Sequence, residues 1–400
     1  MRDVTVPRTW EMVPLGDVIR EAKSGFASGE NSSQGVLQVR MNNVDTEGNL
    51  DFREPRRVPA SEAVISAFGL RPGDVLFNNT NSPELVGKSA VFFGHPEPVV
   101  FSNHFTRLRT VEGRLDPSFL RRWLVRQWEK QVFRGLCTRW VNQAAVRKEA
   151  LLSLKIPLPR LPEQQRIAAI LDKAYAIRRK RQETIALTEE LLRSTFLEMF
   201  GDPVTNPKRW PTKPICEIAT VTTGNTPPRE NPAYYGDSIE WIKSDNINTR
   251  HHLVTKATEG LSAEGRAVGR VAPVDSTLIT CIAGSRDCIG NAALTDREVA
   301  FNQQISALTA NEDVDPYFLY VQVLLAKRLI QTASTNSMKG MVSKGRLEDV
   351  ELIVPPEQLQ RQFGDCFRTL LGLTKKATCF YEESEQLFGS LVQRAFRGEL

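Results

Sequence analysis

The 400-residue chain carries 52 basic and 47 acidic side chains, a formal charge of +5, and is 41% hydrophobic and 25% charged. That length asks for two or three domains, and that balance excludes disordered and collagen-like chains while permitting nucleic acid as a partner. No leader-like segment and no apolar run of about 18 residues occurs, and the six cysteines form no CxxC pair, so a reducing, cytoplasmic location without membrane contact is expected.

In chain order, the stretch from Trp10, "WEMVPLGDVI", opens a strand-rich region containing "VLQVRMNNV", "DVLFNN", "SAVFF" and "PVVFSNHFTRLRT". Short apolar or alternating runs bounded by Gly, Pro and Asn read as strands. "DPSFL" at Asp116 then starts a helix, "FLRRWLVRQWEKQVF". At "LPRLPEQQRIAAIL", Pro157, Pro159 and Pro162 stop the last strand, and Pro162 with Glu163 suits the first turn of a long helix. The polar "GDPVTNPKRWP", residues 201–211, reads as a joint between domains.

The same order then recurs about 200 residues later. "WPTKPICEIA" from Trp210, "IKSDNI" from Ile242, "APVDSTL" from Ala272, "DPYFL" from Asp315 and "VPPEQLQRQF" from Val354 match the earlier landmarks. Strands are predicted in "IEWIKSDNI", "STLITCIA" and "VAFNQQISALTA", and a helix in "FLYVQVLLAKRLIQTA". The boundaries that follow are residues 1–155 and 210–352 for two globular heads, 156–200 and 353–400 for two long helices, and 201–209 for the linker. The fold class is α+β: tandem pseudo-repeated heads, each followed by a long helix.

In the second helix Leu359, Phe363, Cys366, Leu370, Leu373, Ala377, Phe380, Ser384, Leu387 and Leu391 alternate at steps of four and three, the spacing of a coiled-coil seam. Ile167, Ile170, Ala174, Ile177, Arg181, Thr184, Thr188 and Leu191 repeat the rhythm in the first. Antiparallel pairing of the two seams about a pseudo-two-fold axis would give a dumbbell around a rod of about 57 Å. "IRRKRQ", residues 177–182, reads as a solvated basic face.

Motifs for chemistry are weak. "NPAYY", residues 231–235, approaches an adenine-methyltransferase signature but is wrong at its third position and lacks a Gly-rich cofactor loop upstream. "SPELVGKS", residues 82–89, has Ser where a phosphate loop needs its first Gly, and strand-like "AVFF" follows it. His251 and His252 with Cys281 and Cys288 match no zinc spacing, so no metal site and no catalytic residue is expected.

Taken together, the duplicated Trp-led entry, "TPPRENPAYYGDSIEWIKSDNI", "IPLPRLPEQQRIAAILDKA" and the closing "LFGSLVQRAFRGEL" resemble the specificity subunit of type I restriction-modification systems along nearly the whole chain. The resemblance implies target recognition domains that each read half of a split double-stranded DNA sequence, with the helices as spacer in an antiparallel coiled coil. It implies two methyltransferase subunits docked beside the helices and restriction subunits joining later. S-adenosylmethionine would then be held by the methyltransferase partner, ATP and Mg by the restriction partner, and no cofactor by this chain. A self-contained adenine methyltransferase and a coiled-coil scaffold without DNA binding are the competing readings.

Base readers should be amide, Arg, Lys and hydroxyl side chains in loops, which present paired donors and acceptors to base edges. The candidates in the first head are Arg40, Asn42, Asn43, Asn78, Asn79, Asn81, Lys88, Asn103, His104 and Arg107. In the second they are Lys243, Ser244, Asn246, Ser285, Arg286, Asn302, Gln303 and Gln304. Lys339, Lys344 and Arg346 in "TNSMKGMVSKGR" are candidate phosphate grips.

Overall fold

The runs read as strands do pair, although the longest of them reverse direction partway. "PVVFSNHFTRLRT" forms Val99–Phe101 and Phe105–Thr110, and "VAFNQQISALTA" forms Val299–Phe301 and Ile305–Ala310. In each, an Asn-containing turn separates a parallel-paired strand from an antiparallel one. The computed structural model describes residues 10–139, 143–249, 251–334 and 340–400.

The first head holds an antiparallel sheet in the order Ile19–Ser24, Phe105–Thr110, Val75–Asn78, Ser89–Val91. Beside it lies a smaller sheet in which Val36–Val39 runs parallel to Val99–Phe101. The second head repeats the design with Ala219–Thr223, Ile305–Ala310, Thr277–Thr280 and Ala292–Leu294, plus the parallel pair Tyr235–Ile242 and Val299–Phe301. Each head is closed by pairing its first strand with its last: Glu11–Pro14 with Lys155–Leu158, and Thr212–Pro214 with Glu351–Ile353.

Four helices matter below: α1 (Pro117–Glu129), α2 (Leu161–Phe200), α3 (Pro316–Leu325) and α4 (Glu357–Ala395). The DPxFL motifs are N-caps. Asp116 accepts the Phe119 N–H, Asp315 accepts those of Tyr317 and Phe318, and proline fills the first helical position of α1 and α3. Positive φ at Gln131 ends the first head's helical run before a short second piece, Val132–Leu136.

The chain divides into two compact units, Met1–Arg178 with Ser384–Leu400, and Arg179–Glu383. Each unit therefore takes one head, the beginning of its own long helix and the end of the other. In the first, Ile167, Ala168 and Leu171 of α2 share a core with Ala395 and Phe396, and the Phe396 ring lies 5.6 Å from Phe119 of α1. In the second, Phe196 and Phe200 of α2 meet Phe363 of α4 and Phe318 of α3, with ring centroids 4.8 to 5.7 Å apart. Within each unit the two helices run antiparallel, since the beginning of one meets the end of the other.

The expected seam is buried only in part: Ile167, Phe363, Leu370 and Ser384 lie inward, and elsewhere the buried stripe is one residue away. Leu171, Tyr175, Leu192 and Phe196 are buried on α2, and Phe367, Thr374, Thr378 and Phe388 on α4. Leu373, Phe380 and Leu387 are 54%, 51% and 58% exposed, and Leu191 is 53% exposed, so the leucine-rich stripe faces outward. Neighbouring stripes lie about 100° apart on a helix, and the phenylalanine clusters at the ends choose between them. The basic face at residues 177–182 is not uniformly solvated either: Arg178 is largely buried, with Nη2 2.6 Å from Glu47 and Nε 2.9 Å from Glu385.

Candidate nucleic-acid interface

In both heads the same five strand ends are tied into one edge by backbone hydrogen bonds. In the first, Gly25 N–H donates to Phe105 O, Phe26 N–H to Phe101 O, Ser102 N–H to Val39 O, Asn79 N–H to His104 O and Val146 N–H to Asn79 O, at 2.9 to 3.4 Å. In the second, Gly224 N–H donates to Ile305 O, Asn225 N–H to Phe301 O, Asn302 N–H to Ile242 O, Cys281 N–H to Gln304 O and Val342 N–H to Cys281 O, at 2.8 to 3.1 Å. A Cβ on Gly25 would stand 2.2 Å from Ser102 O, and one on Gly224 2.2 Å from Asn302 O, so only glycine permits this approach. The repeat thus builds one platform twice, and the candidates Asn79 and His104 in the first head and Asn302 and Gln304 in the second take part in its bonds.

The structure separates them into two groups. In the first head Asn42 and Asn103 are exposed, and Arg40, Asn79, Asn81 and His104 half-buried at the edge. Asn79 Oδ1 has no hydrogen-bond partner among the described residues, whereas its Nδ2 donates to Thr106 at 3.2 Å. Asn43, Asn78, Lys88 and Arg107 are committed to the fold instead. Asn43 accepts the Arg40 N–H and donates to Asp51 O; Asn78 donates to Thr80 O and His104 O and accepts from Asn81. Arg107, 2% exposed, donates to Gly69 O and pairs with Glu21. Lys88, 8% exposed, caps the turn at residues 41–44 by donating to Met41 O and Val44 O, and burial lowers its pKa against the pull of Asp45. Amides and cations that suit a base edge also suit a buried turn carbonyl, which is why sequence alone placed them together.

The second head divides likewise. Ser285, Arg286 and Gln303 are exposed, and Lys243, Ser244 and Gln304 half-buried. Lys243 Nζ sits 2.6 Å from Glu259 and over the Trp241 ring at 5.2 Å, and the Lys243 and Arg229 bonds hold the Glu259 carboxyl below its usual range. Asn246 accepts the Lys243 N–H and donates to Thr255, as its counterpart Asn43 does for its own turn, and Asn302 accepts the Gln304 N–H. Both are buried and serve the scaffold. Lys344 and Arg346 are exposed on the short helix Lys344–Glu348, Lys344 beside Glu348 at 3.5 Å; Lys339 lies outside the described residues.

Sequence reading missed Arg56 and Arg57, which line an open depression of about 400 Å³ with Arg40, Asn31, Ser32 and Ser33. The basic run "REPRR" at residues 53–57 was the available signal.

No catalytic arrangement emerges from the weak motifs. Asn231 of "NPAYY" caps a short turn by accepting the Ala233 N–H, and the Tyr235 hydroxyl donates to Pro227 O at 2.6 Å. "SPELVGKS" turns through Gly87 at φ +92° into strand Ser89–Val91, with no helix to receive a phosphate. Among the described residues no group of three or more His, Cys, Asp or Glu could hold a metal, and no helix is long and apolar enough to cross a membrane.

The profile of the type I restriction modification DNA specificity domain matches the sequence twice, over residues 7–188 and 207–378. The chain is 23% identical over 374 residues to a putative type I restriction enzyme MjaX specificity subunit of Methanocaldococcus jannaschii, covering 89% of this chain and 85% of that protein. It is 25% identical over 199 residues to the HindI specificity subunit of Haemophilus influenzae, 48% of this chain and 42% of that one. A crystal structure of the S subunit from M. genitalium has the same fold, with a TM-score of 0.67 at 14% identity over 99% of this chain and 98% of that one. With the profile matched in both halves, this chain belongs to the type I restriction-modification DNA specificity family, as a specificity subunit and not a catalytic one.

Proposed function

We propose that each head reads one half of a bipartite double-stranded DNA target through its five-stranded edge, and that α2 and α4 set the spacer between the halves. The observation that carries this is the duplicated platform: two heads offer the same loops, closed by the same backbone bonds, but with different side chains. Arg40, Asn42, Asn79, Asn81, Asn103 and His104 in the first head, and Lys243, Ser244, Ser285, Arg286, Gln303 and Gln304 in the second, are the base-reading set. Arg, Asn and Gln offer the paired donors and acceptors that major-groove edges require. Lys344, Arg346 and the depression at Arg56 and Arg57 suit phosphates. Joining two readers on one stiff connection makes the second half-site an intramolecular event and raises affinity without new contacts.

Two methyltransferase subunits dock beside the long helices in this reading, and restriction subunits join them. The outward stripe of Leu373, Phe380 and Leu387 supports the docking surface, because leucine and phenylalanine more than half exposed at seven-residue steps suit a partner helix. S-adenosylmethionine belongs to the methyltransferase partner, ATP and Mg to the restriction partner, and the complex works in the cytoplasm.

The test is to express the chain with its methyltransferase partner in a host lacking other methylation and map the methylated adenines. A split sequence with a fixed spacer is the expected result, and purified complex should retain that duplex in a salt-sensitive manner. Retention that survives scrambling of either half-site would overturn the reading.

A further inference from the structure

The loop after each parallel-paired strand reaches the long helices. In the first unit Glu47 Oε1 is 2.6 Å from Arg178 Nη2, and Asn49 Nδ2 donates to the Tyr175 hydroxyl at 2.9 Å, both on α2. Arg178 Nε is also 2.9 Å from Glu385 Oε1 of α4. In the second unit the corresponding loop carries His251 and His252. His252 Nε2 lies 2.9 Å from Glu189 Oε1 of α2, and its Nδ1 lies 3.0 Å from the Tyr320 hydroxyl of α3. Its ring stands edge-on to Phe367 of α4, with centroids 5.5 Å apart, and His251 Nδ1 is 3.2 Å from Thr378 Oγ1, also of α4. Two consecutive histidines therefore hold both helices.

Glu189 and Glu385 are corresponding residues of the two long helices, five before the matched Ser194 and Ser390. Each faces a cation-capable side chain in its own unit. In the first unit that side chain is an arginine, charged at all working pH values; in the second it is an imidazole. Glu189 Oε1 is closed off from solvent and has no hydrogen-bond partner among the described residues, so its 2.9 Å approach to His252 Nε2 is a close polar contact and not an aligned hydrogen bond. His252 is 8% exposed and sits at φ +64°, a left-handed conformation rare for a residue with a Cβ and kept only where surrounding contacts over-determine it. An apolar residue would bury at least as well among Phe367 and its neighbours, so what the polar pair adds is direction.

We propose that His251 and His252 are positioning residues for the second half-site, fixing the second head on the long-helix segments of its unit through their contacts with Glu189 and Thr378. The proposal rests on the bipartite reading given above. The groups facing His252 are Glu189 from α2, Tyr320 from α3 and, from α4, the uncharged Phe367, with His251 adjacent in the loop. Tyr320 is held far above its ordinary value by burial and by the Glu189 charge, so it remains a hydroxyl throughout.

The experiment uses the full chain in complex with its methyltransferase subunits, and duplexes built on the mapped target with the natural spacer or one base pair more or less. Wild type should prefer the natural spacer. H252Q and E189Q should each lower the preference by about fivefold to tenfold, with base preferences at both half-sites unchanged and non-additively in the double variant. E189Q changes the helix and leaves the head intact, so it decides the matter even if H252Q folds poorly. An E189Q complex with the wild-type spacer preference would overturn the proposal while the bipartite reading stands. Wild-type binding that needs only one half-site would overturn both.

Discussion

Gln164 and Asp116 meet at the joint between the first head and its long helix: the Gln164 side-chain oxygen accepts the Asp116 N–H at 2.8 Å. The same side chain donates to Arg114 O and Pro159 O, both at 2.8 Å, and is fully buried. Gln360 repeats the arrangement with the Asp315 N–H at 3.2 Å and Pro355 O at 2.7 Å. Pro157 lies inside the last strand, opposite Met12, so the stop falls after Leu158, and one helical turn later the boundary is a latch. Gln164→Ala strands one donor and two acceptors, and at about 1 kcal/mol for each lost bond it should cost about 2–3 kcal/mol. Denaturant titration of the purified chain checks this, with Gln360→Ala expected to cost less because fewer partners are lost.

The end of the chain is a structural part of the first unit. Phe396 is 4% exposed and packs on Phe119, with the Arg126 guanidinium 4.8 Å from its ring. Phe396→Ala should destabilise that unit by about 3–5 kcal/mol, and Phe200→Ala should do the same to the second, where Phe200 packs on Phe318. Hydrogen exchange should locate the loss in α1 for the first variant and in α3 for the second.

Buried and presented cations should separate by salt dependence. Lys88→Ala leaves Met41 O and Val44 O without their donor, so it should lower stability by about 1–3 kcal/mol and leave the salt slope of DNA binding unchanged. Lys344→Ala and Arg346→Ala remove exposed charges, and each should reduce that slope by about one. Retention assays between about 50 and 200 mM salt distinguish the two patterns.

Acid should loosen both heads. Arg107 and Arg109 hold the Glu21 carboxyl below its ordinary 4.5, against the opposing effect of burial, and Arg297 with the Ala257 N–H does the same for Glu240. A carboxylate with a depressed folded value contributes stability that is complete above the unfolded value and is lost as pH falls through the folded one. Unfolding midpoints should therefore decline below about pH 4.5, and Glu21→Gln or Glu240→Gln should flatten the decline. A slope unchanged in both variants would assign the effect to other carboxylates.

The outward stripe should matter to a partner and not to the fold. Leu373→Ser, Phe380→Ser and Leu387→Ser alter side chains more than half exposed, so each should change stability by no more than about 0.5 kcal/mol. Combined, they should abolish co-purification with the methyltransferase subunit. Undiminished co-purification would place the docking surface elsewhere.

The sequence by itself determined the duplicated plan: the order of strands, the Asp-Pro helix starts, the proline stops and the two long helices all follow from local signals that recur in the same order. Periodicity established that α2 and α4 are amphipathic, yet it pointed to Leu373, Phe380 and Leu387 as the inward seam. Phe363, Leu370 and Ser384 of the expected seam are buried, and only the tertiary structure decided where the inward stripe shifts by one residue, as Phe196, Phe200 and Phe396 pack on the heads. The same holds at the edge of each head. Asn42 and Asn43 are neighbours of identical chemistry, and the pleat and turn send one to solvent and the other to the Arg40 N–H. A side chain's hydrogen-bonding capacity is written in the sequence, but the partner that satisfies it is fixed only when distant strands close around it.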